Sequence, residues 1–129
     1  MVLTERKGSN GNVRPSVLIV DGDPGIRRVL DYVLRDLDCE ILLAPDGESA
    51  IETIDAEDPE MVLAEVRLPG ISGPELASRI REHGHPNTRI VLMSAYPRPP
   101  AGAEDQFLYK PIRFERLIEI ANSAIAAHS

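Results

Sequence analysis

The sequence predicts an α/β fold in one domain, a parallel sheet with helices on both faces. Three observations lead there. Short apolar runs alternate with segments whose apolar residues recur every three or four positions, the rhythm of strands feeding helices. Strands that alternate with helices in this way pair in parallel and are covered on both sides. The chain has 129 residues, enough for one domain with a real core and too few for two.

Ser16 to Val20 is the first strand, ended by Asp21-Gly22-Asp23-Pro24. Pro24 suits the first turn of a helix and Asp23 its N-cap. Ile26, Val29, Leu30, Val33, Leu34 and Leu37 then form one apolar stripe, predicting a helix from about Pro24 to Leu37. Glu40 to Ala44 is the second strand. Asp46, a helix cap, and Gly47 make a turn before a short helix marked by Ala50, Ile51 and Ile54. Met61 to Glu65 is the third strand, followed by a Leu68-Pro69-Gly70 loop. Pro74 opens a helix with Leu76, Ala77 and Ile80 inward, and His83-Gly84-His85-Pro86 stops it. Arg89 to Met93 and Phe107 to Tyr109 are the last strands. Phe114, Leu117, Ile118, Ala121, Ala124 and Ile125 stripe a closing helix.

The segment from Ser94 to Phe107 breaks the rhythm, for another helix belongs there. Pro97, Pro99 and Pro100 remove amide donors and clash with preceding carbonyls, so a loop is expected, with at most one turn around Ala103 to Gln106.

Composition narrows the function. Apolar residues make up 43 %, ordinary for a soluble globular protein. The net charge of −7 argues against a nucleic-acid surface, because phosphate binding needs a basic face. No apolar run reaches the ~18 residues of a membrane span. Residues 1–15 are polar and lack a secretory signal, so they are expected to form a disordered tail on a cytoplasmic protein, leaving 16–129 as the domain. A single cysteine, Cys39, excludes an internal disulfide and is expected to be a buried structural thiol.

Ligands of open parallel sheets bind beyond the carboxyl ends of the strands. Asp21, Glu65, Ser94 and Lys110 end four different strands and so converge on one edge. Around them stand Val-Leu-Ile-Val-Asp at 17–21, Ala-Pro-Asp-Gly-Glu-Ser-Ala at 44–50, Arg-Leu-Pro-Gly-Ile-Ser-Gly at 67–73, Met-Ser-Ala at 93–95 and Lys-Pro at 110–111. In order and spacing these segments resemble the receiver domain of bacterial response regulators over about Ser16 to Ala127. The resemblance implies a flavodoxin-like (CheY-like) doubly wound sheet of five parallel strands in order 2-1-3-4-5. It also implies that Asp21 is one acid of a Mg²⁺ pair, Ser94 and Lys110 the phosphoryl-binding groups, and Phe107 the switch aromatic. Pro111 matches the position usually preceded by a cis bond.

Three departures accompany it. Glu65 stands where the family carries its phosphoacceptor aspartate, and Gly22 replaces the second acid. The Ser94–Lys110 segment is shorter than usual by roughly one and a half helical turns, so the family's fourth helix is expected to be shortened or lost. Any Mg²⁺ site, built from Asp21, Glu65 and the backbone carbonyl of Arg67, is therefore expected to be weak, and no other cofactor is implied. The longer Glu65 carboxylate is expected to reach toward Lys110 and Ser94, imitating part of the phosphorylated state with about one negative charge instead of two.

Each residue also has a plain structural reading. Lys110 alone would be a solvated cation, but the facing acids favour a pairing role. Ser94 reads equally as a turn residue that serves its neighbour's backbone, Phe107 reads as packing, and Arg67 either folds over the carboxylates or is exposed. His83 and His85 read as a helix-end pair rather than metal ligands. The chain ends soon after its last helix. The expectation is a stand-alone, atypical receiver (a pseudo-receiver), not an enzyme, acting in two-component phosphorelay signalling through a histidine kinase, a phosphotransfer protein or another response regulator. A conventional receiver phosphorylated despite Glu65 is the first alternative. A small flavodoxin-like cofactor binder is the second, disfavoured because no glycine-rich phosphate loop follows the first strand.

Overall fold

A computed structural model describes residues 14–127, so most of the expected N-terminal tail lies outside the described residues. The elements run β1 (Ser16–Val20), α1 (Pro24–Leu34), β2 (Glu40–Ala44), α2 (Gly47–Glu57), β3 (Met61–Glu65), α3 (Gly73–Glu82), β4 (Arg89–Ser94), β5 (Gln106–Tyr109) and α4 (Phe114–Ala126). The strands form one parallel sheet in the order β2-β1-β3-β4-β5. Among the described residues no helix joins β4 to β5, and the Ala103–Gln106 turn does not form: 103–105 are irregular and Gln106 already belongs to β5.

Burial explains the sheet. Every residue of β1 and β3 is buried, as it must be for central strands covered on both faces, whereas the edges β2 and β5 are only partly buried. Alternate side chains supply two cores. Val17, Ile19, Leu63, Val91 and Met93 face α1 and α4, meeting Leu30, Leu34, Leu117 and Ala121. Leu18, Val20, Val62, Ala64 and Leu92 face α2 and α3, meeting Ile54, Leu76 and Ile80. Cys39 is free and buried beside the first core, and burial pushes its thiol pKa up.

The caps read from sequence, Asp23 and Asp46, start their helices, and Ser72, not read as a cap from the sequence, starts the third. The Asp23 carboxylate accepts from Gly25 N ahead of Pro24, Asp46 accepts from Ser49 N, and Ser72 accepts from Glu75 N. Three expectations need correction. Helix α1 ends at Leu34, and Leu37 packs on the core from the following turn. Val29 and Phe114, placed in apolar stripes, are 50 % and 44 % exposed, while Ile120 is buried. Both misplacements have one cause: a helix stripe wider than its contact with the sheet leaves flanking apolar residues outside.

That difference is measurable by chemical denaturation. Leu117→Ala, in the closed core, is expected to lower stability by about 2–5 kcal/mol. Phe114→Ala is expected to cost about 1 kcal/mol or less.

Candidate functional site

The site lies at the carboxyl edge of the sheet, where β1 and β3, adjacent in space, lead in opposite directions. Parallel register sets its geometry. Val20 pairs with Ala64 and Glu65 with Met93, so the residues that follow β1 and end β3 and β4 emerge at one level. Ser94 pairs with Tyr109, and the Lys110 amide donates to the Ser94 carbonyl at 2.9 Å, bringing the lysine to that level from β5.

Lys110 organises the centre. Its ammonium forms an ion pair with Glu65 Oε1 and lies 3.4 Å from Asp21 Oδ2. Asp21 and Glu65 are both buried, and Lys110 is mostly so. Burial pulls the Lys110 pKa down. The hydrogen bond to Glu65 and the charges of Asp21 and Glu65 more than offset that, so the pKa stays above that of a free lysine. The raised value confines the lysine's contribution to pH below it, so that contribution persists through the physiological range and fades as pH rises through the folded value.

The remaining lone pairs are taken locally. Asp21 Oδ1 accepts from Asp23 N at 2.9 Å, and Glu65 Oε2 accepts from Arg67 N at 3.2 Å. Arg27 Nη1 donates to the Asp21 carbonyl at 2.6 Å. Ser94 Oγ accepts from Tyr96 N at 3.0 Å, so its visible contact is the turn-serving one. Gly22 has a spatial consequence. A Cβ there would lie 3.2 Å from Pro69 Cδ, so the Leu68–Gly70 loop closes over the position where the family has its second acid. At Gly73 a Cβ would come within 2.5 Å of the Glu65 carbonyl, which lets the start of α3 press against the end of β3.

Arg67 does not fold over the carboxylates. Its guanidinium stacks on Tyr96, 3.7 Å from the ring centroid, and the stack forms the rim of the cleft. Phe107 packs on the α2/α3 core, meets Tyr109 edge-on at 4.9 Å, and has the Arg98 guanidinium over its ring, 5.2 Å from the centroid. The Lys110–Pro111 bond is cis, as the resemblance implied. Sequence reasoning missed Tyr96, Arg27 and Pro69; only proximity to Ser94, Asp21 and Glu65 in the chain pointed to them.

A five-stranded parallel sheet in the order 2-1-3-4-5 defines the class of CheY-like, flavodoxin-like folds. The chain belongs to the response regulator receiver domain family, which matches residues 17–122. It is 33 % identical over 119 residues to the Positive alginate biosynthesis regulatory protein of Pseudomonas aeruginosa, covering 84 % of this chain and 46 % of that one. It is 32 % identical over 80 residues to Sporulation initiation phosphotransferase F of Bacillus subtilis, covering 62 % and 64 %. The chain thus spans about half to two thirds of these relatives. Among solved structures, a putative response regulator from Chloroflexus aurantiacus superposes with a TM-score of 0.79 at 28 % identity, covering 88 % of this chain and 98 % of that one. The Vibrio cholerae chemotaxis response regulator CheY4, at 0.77 and 23 %, shares the fold, covering 87 % and 99 %. Receivers are signalling domains that work with histidine kinases, phosphotransfer proteins and other regulators.

Removing the cation isolates two buried carboxylates. Lys110→Met is expected to lower stability by about 3–5 kcal/mol in urea unfolding at neutral pH. Adding Glu65→Gln should recover part of the loss, because one unpaired charge disappears.

Proposed function

We propose that this chain is an atypical receiver that signals by protein–protein contact and does not switch by phosphorylation at its third-strand position. The observation that carries this reading is the Lys110 ammonium held jointly by Glu65 and Asp21. In the family the lysine meets a phosphoryl oxygen; here a side-chain carboxylate meets it instead, a fixed partial imitation of the modified state.

The donor set would hold Mg²⁺ only weakly, since the ion seeks about six oxygens in near-octahedral array. Gly22 supplies no side-chain oxygen, Pro69 crowds its place, and the two remaining carboxylates share one ammonium. The Arg67 carbonyl would be the one further protein ligand, so water would have to complete the shell and the ion would be held weakly. Glu65 also reaches one methylene beyond an aspartate, and in-line phosphoryl transfer tolerates little displacement. None of these residues forms a nucleophile–base pair of a kind that would make the chain an enzyme.

The partner classes are those of the family: a histidine kinase, a phosphotransfer protein or another response regulator, met in the cytoplasm. Among the described residues no helix is long and apolar enough to cross a membrane. The face between α1 and α4 is the proposed contact. It exposes Val29, Tyr32 and Phe114 together, with Tyr32 70 % exposed, and Arg28 and Arg35 beside them.

Acetyl phosphate with Mg²⁺, followed by intact mass, tests the reading, with a conventional receiver treated in parallel. The protein is expected to remain unmodified while the control gains a phosphoryl group. A stoichiometric adduct lost in Glu65→Gln would establish conventional phosphorylation instead. Capture of a purified histidine kinase or phosphotransfer protein is expected to weaken at least tenfold on Tyr32→Ala.

A further inference from the structure

At the opposite edge of the sheet, away from the site, two histidines and two aspartates meet. His85 Nε2 lies 2.9 Å from Asp55 Oδ1, and its Nδ1 lies 2.8 Å from Asp58 Oδ1. His83 Nδ1 lies 2.8 Å from the other oxygen of Asp55. We infer that His85 is a doubly protonated clasp between the ends of α2 and α3, and that the clasp opens when the ring gives up one proton.

The stoichiometry of donors carries the inference. A carboxylate only accepts, and a neutral imidazole has one N–H to give. A ring with a carboxylate oxygen at each nitrogen therefore satisfies both contacts only as imidazolium. Loss of either proton turns one 2.8–2.9 Å hydrogen bond into a lone pair facing a negative oxygen. His83 differs, since its single contact is satisfied by the neutral tautomer with hydrogen on Nδ1.

The charged groups around the ring agree. Asp55 comes from α2 and Asp58 from its C-cap, while His83 is the C-cap of α3. From α3, Arg81 faces the segment, but its Nη1 is spent on the carbonyls of His85 and Thr88, each at 2.8 Å, and its Nη2 pairs with Asp105 at 2.8 Å. Its charge is thus balanced, and the two aspartates dominate the ring. Burial lowers the His85 pKa, and the hydrogen bonds to Asp55 and Asp58 more than reverse that, leaving it above the ordinary imidazole value. The hydrogen bond from His85 is the main cause holding Asp55 below the ordinary carboxylate value.

The signs give a window. The raised His85 value means its contribution is complete below about pH 6.5 and fades as pH rises through the folded value. The depressed Asp55 value means its contribution is complete above about pH 4 and fades as pH falls through the folded value. The clasp is closed between those limits. The clasp adjoins the segment leading into β5. Arg81 links the His85 loop to Asp105, whose carboxylate accepts from Ile90 N at 2.7 Å and whose amide donates to the Ile90 carbonyl at 2.8 Å.

Ring-nitrogen NMR and thermal unfolding test this on the full chain, with chelator present throughout. Near about pH 6, both His85 nitrogens are expected to carry hydrogen. The melting midpoint is expected to fall between about pH 6 and about pH 9, and His85→Gln is expected to remove most of that fall. Asp58→Asn covers the case in which the histidine variant folds poorly. Asparagine tolerates the left-handed backbone at this position (φ 48°), so the cap survives while the charge goes. This variant is expected to lower the His85 titration midpoint. A single-proton tautomer of His85 near about pH 6, an unmoved midpoint in Asp58→Asn, or an unchanged pH profile in His85→Gln would each overturn the inference.

Discussion

One constraint orders the carboxyl edge of this molecule: an ammonium and two carboxylates share a buried space that cannot hold an unpaired charge. Lys110 arrives from β5, Asp21 from the end of β1 and Glu65 from the end of β3, and each answers the desolvation of the others. The backbone amides of Asp23 and Arg67 take further carboxylate lone pairs, so the local loops are bound into the same arrangement. The extra methylene of Glu65 matters because it brings the carboxylate up to the lysine without an added group. A glycine at position 22 then lets Pro69 close in, which fits a pocket organised around the lysine.

The second adjustment is the lost helix between β4 and β5. A parallel connection ordinarily covers the sheet with a helix, and here an irregular segment does so. Ala103 packs on the α2/α3 core from that segment, and Phe107 does so from β5. Arg98 pairs with Glu104 at 3.2 Å, and Glu104 also accepts from Gly102 N at 3.1 Å. Asp105 closes the far end on Ile90 and Arg81. Side-chain hydrogen bonds thus replace the backbone ladder that a helix would have supplied, and Tyr96 and Tyr109 are left exposed beside it.

Much of this was legible in the chain. All five strands fall within one residue of where their apolar runs placed them, because the central strands, buried on both faces, are largely apolar and the edge strands carry short apolar runs. The caps at Asp23 and Asp46 were equally plain, since capping is a contact of two or three residues' reach. The loss of a helix followed from three prolines. Less legible was which side of a stripe faces inward: Val29 and Phe114 look apolar but lie outside the helix–sheet contact. The Arg67–Tyr96 stack left no periodic trace, and the direction of Arg67 was undecided until the two loops were seen side by side.

The sequence by itself determined the alternation of strands and helices, the strand ends that carry Asp21, Glu65, Ser94 and Lys110, and the family to which they correspond. These follow from local pattern and spacing, which act within a few residues. Only the tertiary structure decided that Lys110 holds both acids, that Ser94 serves Tyr96, and that His85 joins aspartates 27 and 30 residues away. Such pairings depend on how separate elements meet at an edge of the sheet, and burial makes each of them count because water no longer satisfies the groups involved.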